Sequence, residues 1–536
     1  MSGKGSSKKF TFDFFLYDEL ILCIFSHLSW VDLCAVQATS RKWSRLATDN
    51  ELWRNLYFTV FGRTRLRGAR GFTGRLDGRE VRPLPSRVKT GEFKDWKWMF
   101  RISSNWRKGR CMVEQLQLLP PAPLEDVQSA KTHILLAGSL IVTASSKQSL
   151  LPCVHLSGPD GLYYDLPCPS RQPALFHVTA LALDQSPPIS RDVGIAAFLS
   201  TGEFHVFRVD YSNPTSSTLQ LSHSPIRRTS RTSPIIQAVY HHPILITLSE
   251  SFSLSIYDLS SGLARHSQTL SSYTSHPPTS LVLSTPTATT YKLVLTYAVP
   301  VYPRHWSVGI TELIISAPSS HTEPLKSSTS PSATFAEESS YNGAELVCVT
   351  ATRTIRAVDI PHGWIDEEKL RVIQEQWSRK VTHVADTQTD GKWVVLAPGG
   401  PLPTSRVSSS SSPHSPSHIY SPTSLQLYRL SLPLASSAIS APRPRLTFMR
   451  NLHGHTCPVS SMSVADGRCV SLGIDGSIWV WDLETGASTE VLAQDPEVAH
   501  PSTHGGIQFE KCMVAFDERR IVTAQGDCVR VRRFDI

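Results

Sequence analysis

At 536 residues the chain is too long for one ordinary core and predicts two or more domains. Hydrophobic residues at 40%, charged residues at only 18% and 37 prolines exclude a wholly disordered chain and suit a β-rich, loop-rich body with polar insertions. The net charge of +8 is modest for this length, and the ten cysteines form no CxxC pair and no Cys/His run at zinc spacing, so reduced structural thiols are expected and neither metal nor cofactor.

Residues 1–13 are basic and small and read as a flexible N-terminus. The apolar segment that follows is interrupted by Asp13, Asp18 and Glu19, which suits neither a signal sequence nor a membrane span, and glycine is third rather than second, so the myristoylation pattern is absent. The expectation is a protein of the cytosol, the nucleus or both, with no membrane contact.

From 14 to 62 the chain predicts four short amphipathic helices. Leu20, Ile21, Ile24, Phe25 and Leu28 recur at helical spacing on one face. Ser29 offers an N-cap, with Asp32 three residues on, and Leu33 and Val36 supply the apolar positions of a second helix. Trp43 and Leu46 serve a third. Asp49 caps a fourth, in which Leu52, Trp53, Leu56, Tyr57, Val60 and Phe61 recur until Gly62. So small a unit buries little surface alone, which leaves two readings from periodicity: a helical cap, or a module whose apolar face meets a partner.

Residues 63–110 form a basic loop and then a helical linker. Between Arg54 and Arg110, sixteen Lys/Arg face four acids. Without interleaved aromatics or a nucleic-acid fold, a solvated tether is a simpler reading of the loop than an RNA site, so nucleic acid is not the expected partner. Phe93, Trp96, Phe100 and Ser103 then fall on one helical stripe, and Trp106 lies near the helix end. Aromatic side chains packed there would hold two domains at a fixed separation, as a Gly/Ser tether would not.

From Cys111 to the C-terminus the pattern changes to short apolar runs bounded by turns. The clearest unit is late: a Gly-His pair, a strand over 459–464, a turn at Asp466-Gly467, a strand over 469–473, a turn at Asp475-Gly476 and a strand ending Trp481-Asp482. Weaker units lie at 139–156, 193–210, 243–262, 291–316 and 345–360, in the pair 392–398 and 424–432, and at the C-terminus, where Thr523, Asp527 and Phe534 follow the same order with His504 as loop histidine. Eight candidate units favour seven blades of a propeller with eight possible; two β-sandwiches are the structural alternative.

Polar insertions, expected to be disordered, interrupt this body near 212–233, 317–341 and 401–423; the last carries three Ser-Pro pairs. Arg227, Arg228 and Arg231 are a candidate contact for a phosphorylated substrate, with a solvated loop as the plainer reading. A helix over 365–380 is expected to pack through Leu370, Val372, Ile373 and Trp377.

The order Leu-x-Asp-Glu-Leu, Ile-Phe-x-x-Leu, Ser-x-x-Asp-Leu, Arg-Lys-Trp, Leu-Ala, Leu-Trp over 16–53 resembles the F-box family, except that Tyr17 stands where the family usually has proline. Asn105, Trp106, Arg107 and Gly109 resemble the linker of F-box/WD-repeat proteins, and the late unit resembles a WD repeat. The resemblance implies an all-α F-box and helical linker followed by an all-β WD-repeat-like propeller. It implies a non-catalytic substrate receptor of a Skp/cullin/F-box ubiquitin ligase, whose partners are a Skp-type adaptor, through it cullin and RING subunits, and a protein substrate, phosphorylated or not. A non-ligase scaffold and an RNA-associated propeller using 54–110 are the alternatives.

On that resemblance Leu16, Leu20, Ile21, Ile24, Phe25, Leu28, Leu33, Val36, Trp43, Leu46, Leu52 and Trp53 carry adaptor binding or the packing that shapes its surface, two roles that sequence leaves unseparated. His455, Ser471, Asp475 and Trp481 match the hydrogen-bonded tetrad inside a WD blade. They form no catalytic set, since no nucleophile elbow or oxyanion motif accompanies them.

Overall fold

Strands packed on both faces read as continuous apolar runs, and the chain from residue 110 onward is built of such runs joined by polar turns. In the computed structural model they form seven blades. The structure describes residues 16–61, 95–117, 131–158, 161–171, 174–186, 192–210, 213–225, 233–287, 289–302, 304–317, 347–358, 363–400, 423–432, 444–493, 512–526 and 528–536.

Four helices lead: α1 (Asp18–Phe25), α2 (Trp30–Gln37), α3 (Arg41–Ala47) and α4 (Asn50–Phe61), followed by α5 (Trp96–Lys108). Their starts follow cap chemistry. Ser29, Ser40 and Asp95 accept from the backbone amides of Asp32, Trp43 and Trp98, and Asp49 accepts from Glu51 and Leu52. Ser29 also donates to the Asp32 carboxylate at 2.7 Å, a short version of the capping box.

Strand β1 (Arg110–Gln117) follows α5 at once. Blade 1 is β2 (Thr132–Ala137), β3 (Leu140–Ser145), β4 (Cys153–Ser157) and β5 (Tyr163–Pro167); blade 2 is β6 (Val178–Leu183), β7 (Asp192–Leu199), β8 (Phe204–Asp210) and β9 (Thr218–His223). Blade 3 is β10 (Ile235–His241), β11 (Ile244–Ser249), β12 (Ser253–Asp258) and β13 (Arg265–Ser271); blade 4 is β14 (His276–Ser284), β15 (Thr290–Val301), β16 (His305–Ser316) and β17 (Cys348–Arg356). After helix α6 (Glu367–Ser378), blade 5 is β18 (Val384–Thr389), β19 (Trp393–Pro398), β20 (Leu425–Ser431) and β21 (Arg445–Leu452). Blade 6 is β22 (Val459–Ala465), β23 (Arg468–Gly473), β24 (Ile478–Asp482) and β25 (Ser488–Glu490). The short β26 (Leu492–Ala493) lies parallel to β1, and blade 7 combines β27 (Met513–Phe516), β28 (Arg520–Gln525) and β29 (Cys528–Arg533) with β1.

The first strand of each blade meets the first strands of its neighbours around the centre. β1 pairs antiparallel with β29 from Met112↔Arg533 to Gln117↔Cys528, so a strand from before the ring completes its last blade. A separate apolar cluster fills every cleft between blades, for example Ile246, Leu248 and Phe252 against Leu293, Leu295 and Tyr297 between blades 3 and 4. Turn aspartates add cross-blade bonds: Asp184 accepts from the His242 amide at 3.0 Å and Asp390 from the Gly467 amide at 2.9 Å. The Arg520 guanidinium, paired with Asp517, donates to the Gly138 carbonyl at 2.8 Å and ties blade 7 to blade 1.

Three expectations are corrected. The unit at 345–360 is no eighth blade: it supplies one strand, β17, which pairs with β16 as the outer strand of blade 4 and alternates in exposure along its length. The polar stretch near 212–233 holds a short 3-10 turn and β9, the outer strand of blade 2, because Leu221 is buried against blade 3. Helix α6 does not pack through all four named residues, since Leu370 and Val372 are exposed and no residue of the helix is buried. The 401–422 part of the last insertion and residues 318–346 lie outside the described residues, as do His504 and Asp527.

Blade 6 holds the tetrad. Trp481 Nε1 donates to Ser471 Oγ at 2.8 Å, and Ser471 Oγ lies 2.6 Å from His455 Nε2. The link to Asp475 runs through a residue the sequence pattern does not name. His455 Nδ1 lies 3.2 Å from Ser477 Oγ, which donates to Asp475 at 2.7 Å. A neutral His455 protonated on Nδ1 lets every donor in this relay point the same way. Gly473 leaves room for it, since a Cβ there would stand 2.3 Å from Asp475 Oδ1. Ser471 is fully buried and spent in this relay, so it is a structural hydroxyl.

Two outcomes are expected. Ser471→Ala strands two buried polar groups and lowers the unfolding free energy of the propeller by roughly 2–4 kcal/mol in urea titrations. Burial also pushes the His455 imidazole down to about 4 from its ordinary 6.5. Between those values the unfolded chain binds a proton that the folded chain refuses, so this contribution is complete above pH 6.5 and fades as pH falls toward 4. Desolvation of the half-buried Asp386 carboxyl pushes it up to about 6, and it acts in the opposite sense from about pH 4 to 6. The check is therefore a difference: stability falls less between pH 7 and pH 5 in His455→Gln than in the native chain.

Candidate functional site

Helices α1 to α4 close around Ile21, Phe25, Leu33, Leu46, Leu52, Trp53 and Tyr57, with Phe100 of α5 completing the core. Trp53 Nε1 donates to the Ala47 carbonyl at 2.8 Å, so its polar edge is satisfied inside this core. Asp18 accepts from Lys42 at 3.1 Å and Arg45 at 2.5 Å and fastens α1 to α3. The Lys42 hydrogen bond, with that of Arg45, holds the Asp18 carboxyl below the usual carboxylate range.

Packing divides the twelve residues assigned to adaptor binding or its support. Ile21, Phe25, Leu33, Leu46, Leu52 and Trp53 are buried in the module's own core. Leu16, Leu28, Val36 and Trp43 are half-buried against it. Leu20 and Ile24 face outward, 51% and 45% exposed. The five apolar residues expected on one helical face thus do not share one destination, and Leu28 lies beyond the end of α1. At 100° per residue the run from Leu20 to Phe25 spans a broad arc, and the core covers only its Ile21 and Phe25 side.

Tyr17, 78% exposed, and Trp30 and Val31 of α2 add to the exposed apolar surface and are missing from the sequence-derived set. A signal for them exists: Trp30 and Val31 occupy the first turn after the Ser29 cap, where acidic or polar residues are favoured. Trp30 also packs obliquely on Phe100, and the Lys108 ammonium lies 5.0 Å from its ring centre.

Helix α5 belongs to both domains. On one side Phe100 enters the helical core, Trp96 packs on Tyr57, Ser103 Oγ donates to Tyr57 at 3.3 Å, and the Trp96 amide donates to Asn50 at 2.9 Å. On the other side Ile102 and Trp106 enter the cluster between blades 6 and 7. Trp106 stacks on Phe534 with centroids 4.0 Å apart and planes 12° apart, and its Nε1 donates to the Glu518 carbonyl at 2.9 Å. The Arg468 guanidinium lies 4.4 Å from the Trp106 ring centre, and Asn105 Nδ2 donates to the Phe534 carbonyl at 2.8 Å. Gly109 ends the helix at φ 66°, and a Cβ there would stand 2.0 Å from the Glu490 carbonyl oxygen. Only glycine makes that turn at that distance.

The helix therefore seats on the propeller face formed by the turns between first and second strands, such as Phe516 to Arg520 and Ala465 to Arg468, together with the end of β29. By strand direction Leu150, Leu151, Leu175, Tyr273, Tyr302 and Trp364, all exposed, lie in connections on the opposite face; Leu162 and Leu263 are exceptions on the linker side. Arg227, Arg228 and Arg231 and the basic loop 63–92 lie outside the described residues. Among the described residues no three His, Cys, Asp or Glu converge as metal ligands, and no helix is long and apolar enough to cross a membrane.

Two family models match the chain: the F-box protein pof12 beta-propeller over residues 123–503 and the F-box-like family over residues 18–59. A stretch of 123 residues is 27% identical to a curated F-box protein of Saccharomyces cerevisiae, and it spans 20% of this chain and 19% of that protein. Among solved structures, the WD40 beta propeller domain of Doa1 aligns over 73% of this chain and 88% of that one, at 10% identity and a TM-score of 0.34. Saccharomyces cerevisiae Sqt1 aligns over 74% and 81%, at 11% identity and 0.35.

Tyr17 already holds φ −65° and ψ 153° at the cap of α1, the backbone that proline imposes, and no hydrogen bond from its amide is found among the described residues. Tyr17→Pro is therefore expected to stabilise the helical module by about 0.4–1 kcal/mol in thermal unfolding, through the unfolded state.

Proposed function

Since the chain belongs to the F-box proteins with a pof12-type β-propeller, we propose that it is a substrate-recognition subunit of a Skp/cullin/F-box ubiquitin ligase. The exposed apolar residues Leu20 and Ile24 on α1, Tyr17 at its cap, and Trp30 and Val31 on α2 dock the Skp-type adaptor, and the adaptor brings cullin and RING subunits. The observation that carries this is the division of α1: Ile21 and Phe25 complete the module's core while Leu20 and Ile24 stay in solvent. Unpartnered apolar side chains of that size on so small a module are what a docking face requires.

The receptor makes and breaks no bonds itself. It holds a bound protein at a fixed place relative to the conjugating enzyme, so that ubiquitin transfer gains from effective concentration. Helix α5 supports this role because it is packed into both domains. The Ser-His-Asp set of blade 6 takes no part, being closed within the blade.

Ile24→Asp is expected to weaken capture of the purified Skp-type adaptor by tenfold or more, about 1.4 kcal/mol or above, while the propeller unfolding transition stays in place. Ile21→Asp, 0% exposed, instead unfolds the helical module, seen by loss of helical circular dichroism. Adaptor capture that survives Ile24→Asp contradicts the assignment.

A further inference from the structure

On the face opposite the linker, the hairpin joining β15 to β16 and the segment leading into β18 enclose a groove of about 600 Å³. Pro300, Tyr302 and Trp306 give it apolar and aromatic walls, and Arg304, His305 and His383 line it with basic groups. Tyr302 is 83% exposed, and Arg304 is exposed and makes no salt bridge among the described residues.

The walls are held by backbone bonds. The Trp306 amide donates to the Val381 carbonyl at 2.7 Å and the Val381 amide returns a bond at 2.9 Å, which clamps the hairpin to the blade 5 connection. The Gly399 amide donates to the His383 carbonyl at 2.9 Å on the far side. Arg379, just upstream, lies over the Phe448 ring at 4.6 Å, and its carbonyl accepts from Gln426 at 2.9 Å. The same connection carries exposed Trp364 and the exposed Leu370 and Val372 of α6.

We infer that this groove between blades 4 and 5 binds an extended, proline- and aromatic-containing peptide segment that carries a carboxylate, presented by a partner protein. Aromatic-walled grooves suit segments that hold the polyproline conformation, because the peptide is already extended and loses little entropy on docking. Charge complementarity decides the rest: the six residues named supply one guanidinium and two imidazoles and no acid, so an acidic side chain beside the prolines meets Arg304. This assignment rests on the receptor reading, of which it would name the substrate class, and places recognition off the propeller axis.

The test uses the full chain and two fluorescein-labelled, C-terminally amidated decapeptides of alternating proline and tyrosine, one ending in two glutamates and one in two lysines. Fluorescence anisotropy is expected to show the glutamate peptide binding at least about tenfold tighter than the lysine peptide. Tyr302→Ala, at an exposed position, weakens the glutamate peptide by about tenfold, the cost of one aromatic anchor. Arg304→Glu reverses the preference between the two peptides. Failure of both peptides to bind, or binding indifferent to both substitutions, overturns the proposal. Binding that appears only after deletion of residues 401–422, a proline-containing stretch that follows Gly400, also overturns it, since the occupant is then this chain's own segment. Adaptor capture measured on the same preparations separates the two readings: its loss with peptide binding intact counts against the ligase reading alone.

Discussion

A single residue between a helix and a strand fixes the arrangement of the two domains. Gly109 ends α5 in the left-handed region, and β1 starts at Arg110. β1 has to pair with β29 for the ring to close, so the end of α5 is placed wherever closure places the strand. The Glu490 carbonyl is too near for any side chain at 109, so the junction as packed requires glycine there. Trp106, stacked on Phe534 and bonded to the Glu518 carbonyl, repeats the constraint from the helix side. Since Phe100 on the same helix is part of the N-terminal core, the orientation of α1 follows from the closure of the propeller.

The ring itself depends on distributed apolar contacts more than on repeated motifs. The described residues show the complete tetrad in blade 6, yet every cleft between blades has its own buried cluster. Aspartates at the turns between first and second strands then bind backbone amides of the next blade. Burial pushes the Asp390 carboxyl up while the amides of Trp393, Lys392 and Gly467 pull it down, the opposition expected when a carboxylate is used as a buried cap. Closure concentrates on Arg520, which joins the last blade to the first by three carbonyls.

Much of this was legible in the sequence because it is local. The caps at Ser29 and Asp49, the helical spacing of Leu33 and Val36 or of Leu52 and Trp53, and the turns around Asp466 and Asp475 depend on neighbouring residues alone. What depends on tertiary placement was not legible. Periodicity put Leu20 and Ile21 on one apolar arc, and only the packed core shows which edge of the arc it covers. β17 read as a separate unit because residues 318–346 stand between it and β16. β9 read as polar insertion because an outer strand needs only one buried side chain, Leu221, to hold its register. Ser477 escaped the tetrad pattern because its hydroxyl bridges two members without replacing either.

A receptor that docks an adaptor through α1 and turns the far propeller face outward needs the two ends to be one body, and α5 makes them so. The division between ligase receptor and adaptor-bound scaffold lies with the next subunit. Gel filtration of the purified chain mixed with Skp-type adaptor, cullin and RING subunit tests it most directly. The ligase account expects all four in one stoichiometric peak. A peak holding only the chain and the adaptor, with cullin and RING eluting apart, would contradict it.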